Sequence, residues 1–117
     1  MSLQQHSYAS YAAAQNTVED PRQIEYRLFA QVTKALMDVV DGCSRDTIKA
    51  VHWNRRLWLT LQSDCANDAN GLPDEIRAGI ISLAIWVDKH SRKVLRGEGE
   101  IEPLIEVNRS IMEGLAA

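Results

Sequence analysis

The sequence predicts an all-α fold, a small helical bundle of four to five mostly antiparallel helices. Three observations predict it. Apolar residues recur three and four positions apart along most of the chain, the spacing of one helix face. No segment alternates strictly between apolar and polar residues as a half-buried strand does. Proline and glycine fall between the periodic segments, where helices start and stop. The 117 residues suit one domain over 1–117, and the short connections favour antiparallel neighbours.

Five segments follow in order. Leu3 to Asn16 places Tyr8, Tyr11, Ala12 and Gln15 at helical spacing, but its apolar content is mostly alanine. Residues 1–18 are therefore expected to form a weakly held, mobile N-terminal helix. The second segment opens with Asp20-Pro21, an N-cap followed by proline at the first helical position. It runs to about Val40 and stops at Gly42, with Ile24, Leu28, Val32, Ala35, Leu36 and Val39 on one face. The third opens near Ser44 to Asp46, runs to about Ala66, and is broken by the loop Asn67 to Gly71. The fourth starts at Leu72-Pro73-Asp74-Glu75, with two carboxylates over the positive helix end, and ends at Gly97-Glu98-Gly99. The fifth runs from Glu102-Pro103 to Gly114.

The fourth segment is unusual. Ala78 to Val87, AGIISLAIWV, holds ten consecutive residues without a formal charge. A helix apolar nearly all round is buried on several sides or lends a face to a partner. Ten residues are too few to cross a bilayer, which takes about 20. Ile76, Ile80, Leu83 and Val87 form its main stripe. Ile81 and Ile85 fall on the opposite side and Trp86 flanks the stripe, so these three are candidate partner-binding residues. Tyr26, Ala30 and Met37 form a second, weaker stripe of the same kind on the second segment. Trp53, Trp58 and Trp86 read as core side chains, with interface anchoring as the alternative.

Two asparagines break apolar arcs. Asn54 lies among Val51, Trp53, Leu57, Trp58, Leu61 and Cys65. Asn108 lies within the stripe of Leu104, Val107, Ile111 and Leu115, widened by Ile105 and Met112. A buried amide must find partners or it costs a few kcal/mol. Both are expected to be structural, bonding to each other or to loop backbone. The alternative is that they meet a partner's backbone.

Several function classes find no support. The net charge of −3 gives no global attraction to nucleic acid or anionic membrane. Cys43 and Cys65 stand outside metal-ligand spacing and read as free thiols of a reduced compartment. The N-terminus has no basic and apolar signal region. His6, His52 and His90 show no metal spacing, and His52 and His90 read as surface or helix-end histidines. Asp64, Asp68 and Asn70 lack the full calcium-loop pattern. No nucleophile elbow, phosphate loop or dinucleotide fingerprint occurs. No catalysis, metal or cofactor is expected. Lys89, Arg92, Lys93 and Arg96 share one helix face and are a candidate phosphate contact. The plainer reading is helix-end electrostatics, since no aromatic interleaves with them as in single-strand RNA binders. Glu98, Glu100, Glu102 and Glu106 read as a solvated face.

The run His52-Trp53-Asn54-Arg55-Arg56-Leu57-Trp58, then Asn70-Gly71-Leu72-Pro73, Arg77 to Val87 and Leu104 to Leu115, carries a resemblance. Together with Tyr11 and Asp20-Pro21-Arg22 these blocks resemble the FlaF family, flagellar biosynthesis regulators of alphaproteobacteria. The resemblance covers most of the chain, and the order of the blocks is more specific than any one of them. It implies a small cytoplasmic helical protein needed for flagellin production and export, acting beside FlbT, which controls flagellin mRNA translation and stability. It implies a non-catalytic flagellin-binding secretion chaperone whose partners are flagellin and FlbT. An apolar groove would cover the amphipathic terminal helices of flagellin. The first segment, with Tyr8 and Tyr11, is expected to lie over that groove and to move aside or join the complex. The competing readings are an RNA-binding regulator of flagellin message and a structural partner of FlbT.

Overall fold

The computed structural model describes residues 21–40 and 44–116. The expected first helix with Tyr8 and Tyr11, the stop at Gly42, and Cys43 lie outside the described residues. Four helices follow in order: α1 (Pro21–Asp38), α2 (Ser44–Ala66), α3 (Asp74–Leu95) and α4 (Glu102–Ala116). No strand occurs among the described residues, so the fold is a small all-α bundle.

The helix ends follow from local chemistry. α1 closes two residues before the expected Val40, in a tighter turn where the Val39 and Val40 amides donate to the Leu36 and Met37 carbonyls at 3.2 and 3.4 Å. Beyond α2, the Asn67 and Asn70 side chains accept from the Ala69 and Leu72 amides at 2.9 and 3.1 Å. Gly71, at φ 84°, supplies the left-handed residue this turn needs. α3 ends as a Schellman motif on Gly97, φ 76°. The Glu98 amide reaches the Lys93 carbonyl at 2.8 Å and the Gly97 amide reaches that of Val94 at 3.0 Å. Gly114 does not stop α4 as expected. It is not among the positive-φ glycines, and without that geometry a glycine only weakens a helix.

Polar contacts between helices set the topology. Arg55 Nε of α2 donates to Asp88 Oδ1 of α3 at 2.6 Å, and Arg77 Nε donates to the Cys65 carbonyl at 2.8 Å. As α2 runs from 55 to 65, α3 therefore runs back from 88 to 77. α1 and α4 are antiparallel by the same test, since Thr33 meets Met112 while Met37 meets Arg109. α2–α3 and α1–α4 are the two closely packed pairs, joined through α1–α2. The α3 and α4 backbones approach sparingly, and those of α1 and α3 do not come close. α4 has 15 residues against 22 in α3, so at 1.5 Å per residue it is roughly 10 Å shorter.

Phe29, Val32 and Leu36 from α1, Val51, Leu57, Trp58 and Leu61 from α2, Ala84 and Val87 from α3, and Leu104 and Ile105 from α4 form the core. Phe29 meets Trp58 edge-on, with ring centroids 5.7 Å apart. The buried stripe of α3 is Ala84, Val87, Ser91 and Val94, not Ile76 to Val87 as the pattern suggested. Ile76, Val87 and Val94 point the same way on a helix of 100° per residue, yet Val87 is 0% exposed and Ile76 50%. The stripe continues, but α4 does not follow it. The tryptophans divide too: Trp58 is buried, Trp53 half-buried, and Trp86 exposed rather than core.

Arg77 ties α3 to the end of α2. Its guanidinium meets the Cys65 carbonyl, one of the last carbonyls of α2, where positive charge is favoured. Asp74 and Asp68 lie 3.5 and 3.9 Å from the same group. Arg77→Met is expected to cost about 1.5–3 kcal/mol in urea unfolding, the range of a charge-assisted bond. An unchanged midpoint would show that the contact carries no stability.

Candidate docking face and the buried polar cluster

Three helices converge on a polar cluster in the core. Asn54, Asn108 and Thr33 are buried, at 0%, 0% and 4% exposure. Trp58 Nε1 donates to Asn108 Oδ1 at 2.8 Å. Asn108 Nδ2 donates to Asn54 Oδ1 at 2.7 Å and to Thr33 Oγ1 at 3.1 Å. Thr33 Oγ1 in turn faces Met112 Sδ at 3.8 Å. The indole N–H can only donate, so it fixes the Asn108 amide with its oxygen toward Trp58. The amide nitrogen then faces Asn54, and Asn54 must present its oxygen. Asn54 Nδ2 is left buried without a hydrogen-bond partner among the described residues, as is Ser91 Oγ on α3. The two asparagines bond to each other and not to loop backbone. Thr33 had no sequence signal, because a lone threonine on an apolar helix face is ordinary.

The second feature is the outer surface of α3. Ile85 and Trp86 are exposed and Ile81 is half-buried. Ile76 is exposed too, but on the stripe side of the helix, opposite Ile85. The register set by Arg55 and Asp88 brings in a residue the sequence reading missed. Leu59 follows Arg55 by one turn on α2, Ile85 precedes Asp88 by about one turn on α3, and both are exposed. Leu59, Ile81 and Ile85 thus line the outer seam of the α2–α3 pair. Leu59 was legible only once the pairing register was known.

Trp86 is oriented as well as exposed. Its ring stacks on His90, with centroids 4.9 Å apart and planes 7° apart. His90 Nε2 lies 2.6 Å from the Glu100 carbonyl, which only accepts, so this nitrogen carries the proton. The histidine thereby joins α3 to the turn before α4.

The other expected residues lie apart. Tyr26 and Met37 are exposed on α1, whose backbone does not come close to that of α3, so they sit apart from Ile85 and Trp86. Lys89, Arg92, Lys93 and Arg96 are all exposed. Arg92 lies 3.0 Å from Asp88, which Arg55 also engages, and Arg96 lies 3.1 Å from Glu98, so both of these cations already meet a carboxylate of the chain. Burial pushes the Cys65 thiol above its ordinary value, aided by the Asp64 and Glu25 carboxylates and opposed by Arg77.

A cleft of 430 Å³ lies between the end of α1 and the turn before α4, lined by Val39, Val40, Thr47, Ile101, Glu100 and Glu102 among others. Among the described residues no group of His, Cys, Asp or Glu is arranged to hold a metal, and no helix is long and apolar enough to cross a membrane.

No curated protein and no solved structure matches this chain. One family model does, described as flagellar protein FlaF, and it matches residues 7–115. That span contains all of α1, α2 and α3, both asparagines and the whole exposed face of α3. The chain belongs to the flagellar protein FlaF family.

Proposed function

We propose that this chain is a cytoplasmic, non-catalytic flagellin-binding chaperone and regulator that supports flagellin synthesis and export. One observation carries the reading. On the outer side of the uncharged half of α3, Ile85 and Trp86 stay exposed beside a half-buried Ile81. Apolar surface of this kind on a small helical protein marks a place for a partner. Unassembled flagellin offers a fitting one, since amphipathic terminal helices lay their apolar side into such a groove. Ordering those helices consumes part of the contact energy, which suits a complex that must release its cargo. The net charge of −3 and the absence of aromatic residues among the cations weigh against direct binding to message.

The test is a binding measurement with purified full chain and flagellin, with and without the terminal helices, at about 0.1 and 0.5 M salt. Binding is expected only when the terminal helices are present, with little change across salt, because apolar burial is not screened. Equal binding without the termini would overturn the reading. So would binding to flagellin transcript in place of flagellin, with the steep salt loss of phosphate contacts. Retention of FlbT but not of flagellin would make the chain a structural partner of FlbT.

A further inference from the structure

We infer that the outer face of α3 pairs with the same face of a second copy of this chain, the two helices running antiparallel about a two-fold axis at Ser82. The inference does not rest on the proposed function, although both use the same face. Apolar area without a cover is the first argument. Ile85 and Trp86 stand exposed one turn after Ser82, which is exposed itself. Ala78 and Gly79, one turn before it, are exposed as well. A Cβ at Gly79 would meet no atom within 4 Å, so the surface is open there. Trp86 is already held against His90, so it loses little freedom when it is covered.

Charge is the second argument, and it selects the occupant. α3 carries Asp74 and Glu75 in its first turn and Arg92 and Lys93 in its last, with Lys89 one turn earlier. Glu75, Ser82 and Lys89 follow one another along nearly one line of the helix, about 10 Å apart. Among the described residues neither Glu75 nor Lys89 has an ion-pair partner. A two-fold axis at Ser82 sets Lys89 of each copy opposite Glu75 of the other, because both lie seven residues from it. At 100° per residue Trp86 and Gly79 lie on one flank of this line, and Ile85 and Ala78 on the other. The axis keeps each flank facing its own kind, so Trp86 comes opposite Gly79 of the second copy and Ile85 opposite Ala78. Large side chains thus meet small ones, and unlike charges meet at both ends. A parallel pair would set Trp86 on Trp86 and Lys89 on Lys89.

The pair buries the apolar face that the free chain otherwise presents to water. One helix face per copy makes a small interface, so the dimer is weak and opens readily. Any other helix that docks on this face must part the two copies, and its apparent affinity falls as the chain becomes more concentrated.

The test needs no other protein. The full chain carrying Cys43→Ser and Ser82→Cys is expected to form a disulfide-linked dimer under mild oxidation, because a residue on the axis lies against its own copy. Cys65 stays quiet because its thiol is buried and its pKa raised. Ile76→Cys in place of Ser82→Cys, on the other side of α3, is expected to give at most about a tenth as much dimer. Equal yields from the two, or none from Ser82→Cys, would overturn the pairing. Sedimentation over a range of concentrations then reads the dimer constant of chains without added cysteine. Gly79→Leu is expected to raise the melting temperature, since leucine is the better helix former, yet to weaken the dimer about tenfold by filling the space opposite Trp86. Tighter association instead would mark unspecific adhesion and overturn the register. Lys89→Glu is expected to weaken the dimer about tenfold through two like-charge contacts, and Lys89→Glu/Glu75→Lys to return it to within about threefold of the parent. No loss in the first, or no recovery in the second, overturns the antiparallel arrangement.

Discussion

Asn108→Ala is expected to destabilise the protein by about 3–5 kcal/mol, among the largest costs for a single side chain. The amide serves three helices at once. Its loss orphans the Trp58 indole N–H and the Asn54 oxygen in the core, and each buried orphan costs about 1–3 kcal/mol. A small void adds to that. The melting temperature should fall by roughly 15–25 °C for a domain of this size. Asn54→Ala is expected to cost less, about 1–2 kcal/mol. Asn54 supplies one acceptor, its own nitrogen already has no partner among the described residues, and Asn108 Nδ2 keeps Thr33. The order of the two is the sharp part of the prediction. Urea unfolding of both variants decides it, with exposed Arg109→Ala as the control expected within about 0.5 kcal/mol. If Asn54→Ala costs as much as Asn108→Ala, the amide orientation argued here is wrong. If neither moves the midpoint, the cluster is not structural.

Ile85→Asp is expected to weaken flagellin binding about 100-fold, or about 2.7 kcal/mol, while leaving the fold almost unchanged. The isoleucine is 43% exposed, so an aspartate there costs little beyond helix propensity, about 0.5 kcal/mol. In a complex the carboxylate would be buried against an apolar helix without a partner charge. Leu59→Asp, on the facing edge of the α2–α3 seam, should act in the same direction. Met37→Asp is the counterpart on α1, far from the seam, and should leave binding within about threefold. Calorimetric titration with a flagellin terminal helix reads all three. Loss of binding in Met37→Asp with none in Ile85→Asp would move the docking face to α1.

The helices themselves were legible from sequence because their signals are local. Prolines at entry, the Asn67 to Gly71 loop and the glycine after Arg96 each act within a few residues. Asn54 and Asn108 stood out for the same reason, since an amide inside an apolar arc is visible on a wheel. What surrounds them was not legible. Thr33 belongs to the cluster only because α1 lies against α4, a pairing no local pattern encodes. The stripe of α3 was read with the right angle but the wrong extent. Periodicity reports which direction a side chain points, not whether a neighbour is long enough to meet it, and Ile76 is exposed for that reason. Leu59 was missed because its exposure depends on the register between α2 and α3.

The polar cluster also discriminates among ways of folding up. Greasy side chains accept many companions, so a chain with helices slipped by a turn could bury nearly as much oil. Such a slip moves a group by about 5.4 Å, well past hydrogen-bond reach. The groups that must meet are 75 residues apart in sequence and come from three different helices. Misassembled forms would therefore enclose bare donors and acceptors, a penalty the correct topology alone escapes. Four small polar groups in this way give the bundle a single address among many equally oily arrangements.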